Sequence, residues 1–412
     1  MRGEAGDPTL RRGCHTARWG STCHDREVTD PFGLRSLDVT ALRCRGGAKW
    51  QAHPVAYAAG VADMDFPVAP AVTEALRELV DRGELGYPNW GGPQARSPAA
   101  TMFPGRMADR YGWSCDPAQV RDLVDVIQGV RATVLHCSRP GDGVVLHVPA
   151  YFPFLATIDD MGRRLVPVHY DGAERRFDYD RLDAELAATG ATVWILCHPQ
   201  NPLGHVFDRR ELERIAELAA RHDLVVVSDE IHADLVMPGS THVPFESLGS
   251  DVSARTVTVT SSSKAFNLAG LRWAVMHTGH APLREALDAL PSHYLGAPNV
   301  MAVAATVAAW TAGSDWLEAV IGVVDENRRA LVDLLARHLP GTCYTPPAAT
   351  YLAWVDCRAL GLGDDPAVTF RERGVELSPG PQFGEPGLGH VRINLATSPS
   401  VLSELVRAMA GG

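Results

Sequence analysis

The feature that most constrains this chain is its use of lysine. Only two of its 38 basic residues are lysines, and the rest are arginines. A sequence that uses arginine wherever a positive charge will serve, yet keeps an amine at Lys264, needs amine chemistry there. A guanidinium does not give up its proton to become a nucleophile, whereas a lysine of lowered pKa condenses with an aldehyde. Lys264 stands in Thr260-Ser261-Ser262-Ser263-Lys264-Ala265-Phe266-Asn267-Leu268-Ala269-Gly270-Leu271-Arg272. Ser261 before it and Arg272 after it are a hydroxyl and a guanidinium, the pair suited to gripping a dianionic phosphate.

An amine that binds an aldehyde beside a phosphate clamp points to pyridoxal 5′-phosphate. The stretch resembles the lysine segment of fold type I pyridoxal-phosphate enzymes, the class I/II aminotransferase superfamily. The alternative is a serine-rich loop with a chance surface lysine, because short motifs recur by accident. The rest of the chain decides between them.

At 412 residues the chain is long enough for a large domain with a smaller one beside it. A net charge of -11 leaves no basic stripe for nucleic acid. Eight scattered cysteines without a C-x-x-C pair read as reduced thiols. No apolar run approaches the ~18 residues that span a bilayer. A cytoplasmic small-molecule enzyme is the expectation.

Residues 1–33 carry no hydrophobic period and no signal-peptide core, and read as a disordered extension. The dipeptides Cys14-His15 and Cys23-His24 lack a structural-zinc spacing, so no metal is expected. Residues 34–65 form an N-terminal arm and part of the smaller domain. This arm ends in Val61-Ala62-Asp63-Met64-Asp65-Phe66, which resembles a segment of the MalY/PatB-type cystathionine β-lyases. The resemblance implies that Gly60 meets the substrate; from the residues alone, Asp65 reads as a local cap for the helix that begins near Ala69. In Gly86-Tyr87-Pro88-Asn89-Trp90 the resemblance implies that Tyr87 crosses a homodimer interface to the phosphate of the partner's cofactor. Prolines at 98 and 104 depart from the family pattern and predict a kinked or looped segment.

From about Asp116 to Gly279, β-branched runs at 144–148, 193–197, 224–228 and 257–260 alternate with helical stretches such as 208–222. This predicts a three-layer αβα domain on a mostly parallel sheet of the seven-stranded type, spanning 66–313, with ligands at the strands' carboxyl ends. A smaller α+β domain covers 314–412. Gln128-Gly129-Val130-Arg131 reads as a helix start that receives a phosphate on Gly129, Val130 and Arg131. Tyr151 follows a strand end and matches the aromatic that stacks on the cofactor ring, with core packing as the alternative. Asn201 in Asn201-Pro202-Leu203-Gly204 matches the asparagine that meets the ring's phenolic oxygen.

Asp229, after the apolar run 224–227, is a carboxylate that needs a cationic partner. A protonated ring nitrogen supplies one, and Asp229 then keeps the ring an electron sink. His232 matches the family position facing the phenolic oxygen or is a satisfied core histidine; Glu230 reads as structural. Ser261, Ser263 and Arg272 complete the cofactor set with Lys264. In Val391-Arg392-Ile393-Asn394, Arg392 is expected to bind the α-carboxylate of an amino-acid substrate bidentately, with Gly60 and Asn201 beside it.

The resemblance spans about residues 34–410 and implies catalysis by Lys264 with Tyr87 and Tyr151. It points to carbon–sulfur β-elimination from cysteine S-conjugates or cystathionine, with sulfur natural-product (lincosamide-type) tailoring as a further expectation. The same residues leave open an aminotransferase and a decarboxylating deaminase; a regulatory protein of the same fold ranks below these. If Lys264 is the reacting amine, Lys264→Ala loses the visible band of the lysine-bound cofactor and most turnover. A fully active variant would contradict it.

Overall fold

The computed structural model describes residues 30–91, 96–172, 174–291 and 294–411. Both Cys-His dipeptides lie outside the described residues. Of the expected extension, Asp30 to Gly33 form a turn in which the Asp30 carboxylate accepts from the amides of Leu34 (2.8 Å) and Arg35 (2.9 Å).

Runs that are apolar on both faces can only be satisfied by cover on both sides. Val144, Leu146 and Val148 enter one buried cluster with Val193, Ile195, Val227 and Val259. The alternate residues Val145, Trp194, Leu196 and Val226 enter another, against Leu212, Ile215 and Leu218 of the amphipathic helix Arg209–Arg221. The period of two along each strand thus fills the core on opposite faces of one sheet.

That sheet has eight strands, in the order Val120–Leu123, Ala274–Thr278, Thr256–Thr260, Val225–Asp229, Ala191–Cys197, Gly143–Val148, Arg164–Asp171 and Arg176–Phe177. Pairing is parallel from Thr256–Thr260 through Arg164–Asp171. Ala274–Thr278 runs antiparallel to both of its neighbours. The eighth strand, absent from the expected seven, is a two-residue antiparallel edge strand. Cys197 pairs with Asp229, and Asp229 with Val259, so three strands end side by side and carry the site residues on the loops beyond.

A second, four-stranded antiparallel sheet is built from Cys343–Tyr344, Leu352–Asp356, His390–Asn394 and Ser378–Pro379. The long helix Ser314–His338 and the helix Pro399–Met409 pack with it through Val320, Val324, Leu331, Leu402 and Leu405. Tyr57–Ala58 pairs in parallel with Val375–Glu376, tying the N-terminal segment to this C-terminal part of the chain.

Three local expectations change. Residues 98–111 form one continuous helix, not a loop: Pro98 takes the first helical position, where its missing N–H costs nothing. Ser97 caps the helix, and Asp122 anchors Ser97 through its hydroxyl (2.6 Å) and amide (2.9 Å). Pro104 lies inside, where buried Ala100, Phe103 and Met107 hold the turn against Trp113 and Trp273. Asp65 caps nothing; the helix Pro70–Asp81 has no side-chain cap, and Asp65 is instead buried in an ion pair with Lys49 at 2.9 Å.

The third change concerns Gly129. The helix begins at Val126, capped by Asp125, so Gly129 lies in its second turn. A Cβ there would stand 2.6 Å from Val259 Cγ1 and 2.8 Å from Leu123 Cδ1. Its smallness serves helix-on-sheet packing. Gly129→Ala is therefore expected to destabilise the fold by about 1–3 kcal/mol. Gly105→Ala, at a helical glycine with nothing within 4 Å, is expected to stabilise it by about 1 kcal/mol. Urea midpoints of the two variants test this; equal shifts would contradict the packing role.

Candidate active site

Lys264 sits on the loop that follows Thr256–Thr260, and its Nζ donates to the Ala62 carbonyl at 2.9 Å. Burial lowers its pKa and the nearby Arg392 lowers it further, while Asp63 and Asp229 oppose them. The loop is fixed by Asn267, which adopts a left-handed conformation at φ 58°. Its side-chain amide pairs with Met64 in both directions, accepting from Met64 N at 2.9 Å and donating to Met64 O at 3.1 Å. The segment that carries Ala62 is thereby docked on the lysine loop.

One pocket gathers Lys264, Asp229, His232, Asn201, Tyr151, Ser261, Ser263 and Arg272. Asp229 is 4% exposed and accepts one hydrogen bond, from the amide of Ile231 at 3.0 Å. No ion pair reaches it among the described residues. Burial consequently lifts its pKa to about 7, with Glu230 adding to the rise and Lys264 opposing it. His232 is also buried; burial first, then Lys264 and Arg392, push it down to about 3, so its ring is neutral. Its Nδ1 has no partner among the described residues. Tyr151 is half-buried at the carboxyl end of Gly143–Val148, edge-on to Phe154 at 5.6 Å. Glu230 turns away from the pocket, accepting from Ser228 Oγ (3.0 Å) and Phe245 N (3.0 Å) and pairing with His242 (2.8 Å).

The anion end is built differently from expectation. The residues at the helix N-terminus that line the pocket are Val126 and Ile127. Gly129 and Val130 are buried against the sheet, and Arg131 points away to Asp160 (3.1 Å) and Thr157 (3.2 Å). None of these three lines the pocket. A glycine at a helix start and a glycine one turn inside it look alike in sequence; the Asp125 cap, which accepts from Gln128 N at 2.7 Å, was the signal that separates them. Arg272, left-handed at φ 61°, lines the pocket and pairs with Asp125. Ser261 donates to Trp273 O at 2.6 Å and accepts from Ser263 N at 3.1 Å, which shapes the turn between the serines. Tyr87 lies outside this chain's pocket with its side chain fully exposed.

At the opposite end Arg392 is 3% exposed, contrary to a solvated strand face. Its guanidinium donates to Asn201 Oδ1 (3.1 Å), Gly60 O (3.0 Å) and Ser378 Oγ (2.9 Å), and lies 4.9 Å from the Phe383 ring centre. Its Nε has no partner among the described residues, and burial lowers its pKa to about 10. A buried cation with an unused donor fits an incoming carboxylate.

Between Arg392 and Lys264 runs the backbone from Gly60 to Met64, and side chains hold each of its five carbonyls. Gly60 O takes Arg392 and Ser378 (2.5 Å); Val61 O takes Asn394 (2.7 Å). Ala62 O takes Lys264 and Tyr351 (2.8 Å); Asp63 O takes Asn394 (2.7 Å) and Lys49 (3.1 Å); Met64 O takes Asn267. Sequence reading missed Tyr351, Asn394, Asn267 and Lys49. For Lys49 a signal existed, since it is the only other lysine and precedes a tryptophan whose Nε1 also meets Asp65, at 2.8 Å.

The buried, cation-seeking Asp229, the neutral His232 and the depressed Lys264 amine suit a ring with a basic nitrogen and an aldehyde, while Val126, Ile127, Ser263 and Arg272 suit its anionic tail. A parallel-sheet domain with these groups at its strand ends defines the aminotransferase-like class of α/β enzymes. The chain belongs to the class I and II aminotransferase family, whose model matches residues 59–409. It is 35% identical to cystathionine β-lyase PatB of Bacillus subtilis, over 84% of this chain and 90% of that protein. To protein MalY of Escherichia coli it is 33% identical, over 85% and 89%. The crystal structure of the PLP-bound C-S lyase from Staphylococcus hominis superposes with a TM-score of 0.82 at 27% identity, covering 89% of this chain and 96% of that one.

Asp229 gives the site a pH signature. Burial lifts its carboxyl from the ordinary 3.8 to about 7, so between these values the folded chain holds a proton that the unfolded chain lacks. Stability of the cofactor-free protein therefore falls as pH rises through that window. Asp229→Asn, neutral throughout, is expected to come closest to wild type near pH 4, where the carboxyl is protonated in the fold and begins to be so in the unfolded chain, and to exceed it by much more at pH 8. Identical urea midpoints at both pH values would contradict a buried, unpaired Asp229.

Proposed function

We propose that this protein is a pyridoxal-phosphate-dependent carbon–sulfur β-lyase that acts on cysteine S-conjugates or cystathionine and releases a thiol, pyruvate and ammonia. The observation that carries the cofactor assignment is Asp229, a buried carboxylate without a cation, in the same pocket as the Lys264 amine. The choice of β-elimination is supported by the names of the relatives, one a cystathionine β-lyase and another a C-S lyase.

When bound, the cofactor supplies an electron sink for the charge left by removal of the α-proton. The protein's own residues supply the rest. Arg392 receives the α-carboxylate through its unused Nε and the donors now held by Gly60 O and Asn201. The Lys264 amine, whose hold on its own proton is weakened by burial, takes the α-proton onto Nζ in its unprotonated form. Asp229 would hold a proton on the nitrogen of the bound ring, and His232 and Asn201, which line the same pocket, would stand beside it. Loss of the α-proton would leave an electron pair that forms a Cα–Cβ double bond as the β-carbon–sulfur bond breaks; the proton held on Lys264 Nζ would be available to the departing thiolate, and water would release pyruvate and ammonia.

The reading includes a homodimer in which Tyr87 reaches the partner's phosphate site; its full exposure in one chain leaves it available for that. It also takes residues 34–65 and 314–412 as parts of the smaller domain and 66–313 as the larger. A cytoplasmic setting belongs to the same proposal; no helix among the described residues is long and apolar enough to cross a membrane.

The test is incubation with L-cystathionine and S-alkyl cysteines without any keto acid. Release of thiol, pyruvate and ammonia in equal amounts is expected. A cofactor band that bleaches without pyruvate, and returns on adding a keto acid, would replace the lyase by an aminotransferase.

A further inference from the structure

The Ala62 carbonyl oxygen has two lone pairs and two donors. Lys264 Nζ lies 2.9 Å from it and the Tyr351 hydroxyl 2.8 Å. The oxygen cannot swing away, because the carbonyls on either side, of Val61 and Asp63, are both held by Asn394 at 2.7 Å. Tyr351 is 1% exposed, and burial raises its phenol far above the ordinary range, so it remains a donor at any working pH. Two donors therefore compete for one fixed acceptor, and one of them is the amine to which the proton transfer has been assigned.

We propose that Tyr351 is a positioning residue for Lys264: by sharing the Ala62 oxygen it fixes the direction of the free amine and weakens the hold of that oxygen on the ammonium form. This rests on the reading of Lys264 as the reacting amine. One N–H directed at Ala62 O leaves the lone pair of the neutral amine to face the pocket. A hydrogen bond to the charged form favours that form, and an acceptor already engaged by a phenol gives less of it. The amine is thus kept ready to accept a proton. The other groups facing it are Asp63 on the same segment, Asp229 and His232 at the sheet end, and Arg392 and Tyr151 across the pocket. Tyr351→Phe leaves each of these side chains in place and removes a single oxygen atom.

Because the chain has only two lysines, the amine can be read directly. The full-length protein, with cofactor removed, is trace-labelled with acetic anhydride across a pH series, and the Lys264 and Lys49 peptides are quantified by mass spectrometry. In Tyr351→Phe the labelling midpoint of Lys264 is expected to rise by roughly half a unit to one unit, the range one hydrogen bond commands. Lys49 keeps its midpoint. In the holoenzyme the acid limb of the kcat profile moves the same way, since a base of higher pKa is deprotonated at higher pH. Tyr344→Phe is the control: it removes another phenol, half-buried and donating to Arg328 O at 3.1 Å, and is expected to leave Lys264 unchanged. An unmoved Lys264 midpoint in Tyr351→Phe, or an equal rise in Tyr344→Phe, would overturn the proposal. Labelling does not depend on turnover, so its outcome is separable from whether the holoenzyme releases pyruvate.

Discussion

The site depends on five consecutive backbone carbonyls, from Gly60 to Met64, none of which is satisfied by a regular strand partner. Buried carbonyls demand donors. Here the donors are side chains from the lysine loop, from one end of the smaller sheet and from Lys49. A segment that needs donors thereby gathers into one row the arginine proposed for the carboxylate and the lysine proposed for the proton. The same row joins the large sheet, through Lys264 and Asn267, to the small one, through Ser378, Arg392 and Asn394. Neither sheet could shift without moving the distance between carboxylate and amine.

Charge follows the same logic. Both lysines of the chain serve inside it, one in the pocket and one in the buried pair with Asp65, while arginine supplies the surface ion pairs such as Arg181 with Glu185. Lys49 is paired twice, with Asp65 and the Asp63 carbonyl, as a buried ammonium must be. Asp229 is the contrast: buried at the same depth, it has only an amide. The protein leaves one carboxylate without a cation at the strand end where the family's cofactor belongs, and satisfies Glu230, one residue on, with a histidine.

What the sequence made legible are the features set by local chemistry. Lys264 stood out because arginine replaced lysine almost everywhere else, Asp229 because it closes an apolar strand, and Arg392 because it interrupts one. The four strand runs and the helix 208–222 were readable from periodicity, each to within a residue or two. What stayed hidden depends on contacts between distant positions: Asn267 with Met64, Asn394 with Val61 and Tyr351 with Ala62 are each separated by 200 residues or more. No period or spacing announces such a contact. The misplacement of the phosphate-facing turn at 129–131 has another cause, since a glycine required by close packing was read as one required by an anion. Pro98 and Pro104 were read as breakers, but one occupies a position where proline is favoured and the other is overruled by the buried face around it.

The central claim is that Lys264 is the amine that binds the cofactor, and the scarcity of lysine makes it directly measurable. The purified protein, supplied with pyridoxal 5′-phosphate, is reduced with borohydride, digested and mapped by mass spectrometry. One pyridoxyl group per chain on the Lys264 peptide, with Lys49 unmodified, is the predicted result. Modification at Lys49, or none at either lysine, would contradict the account.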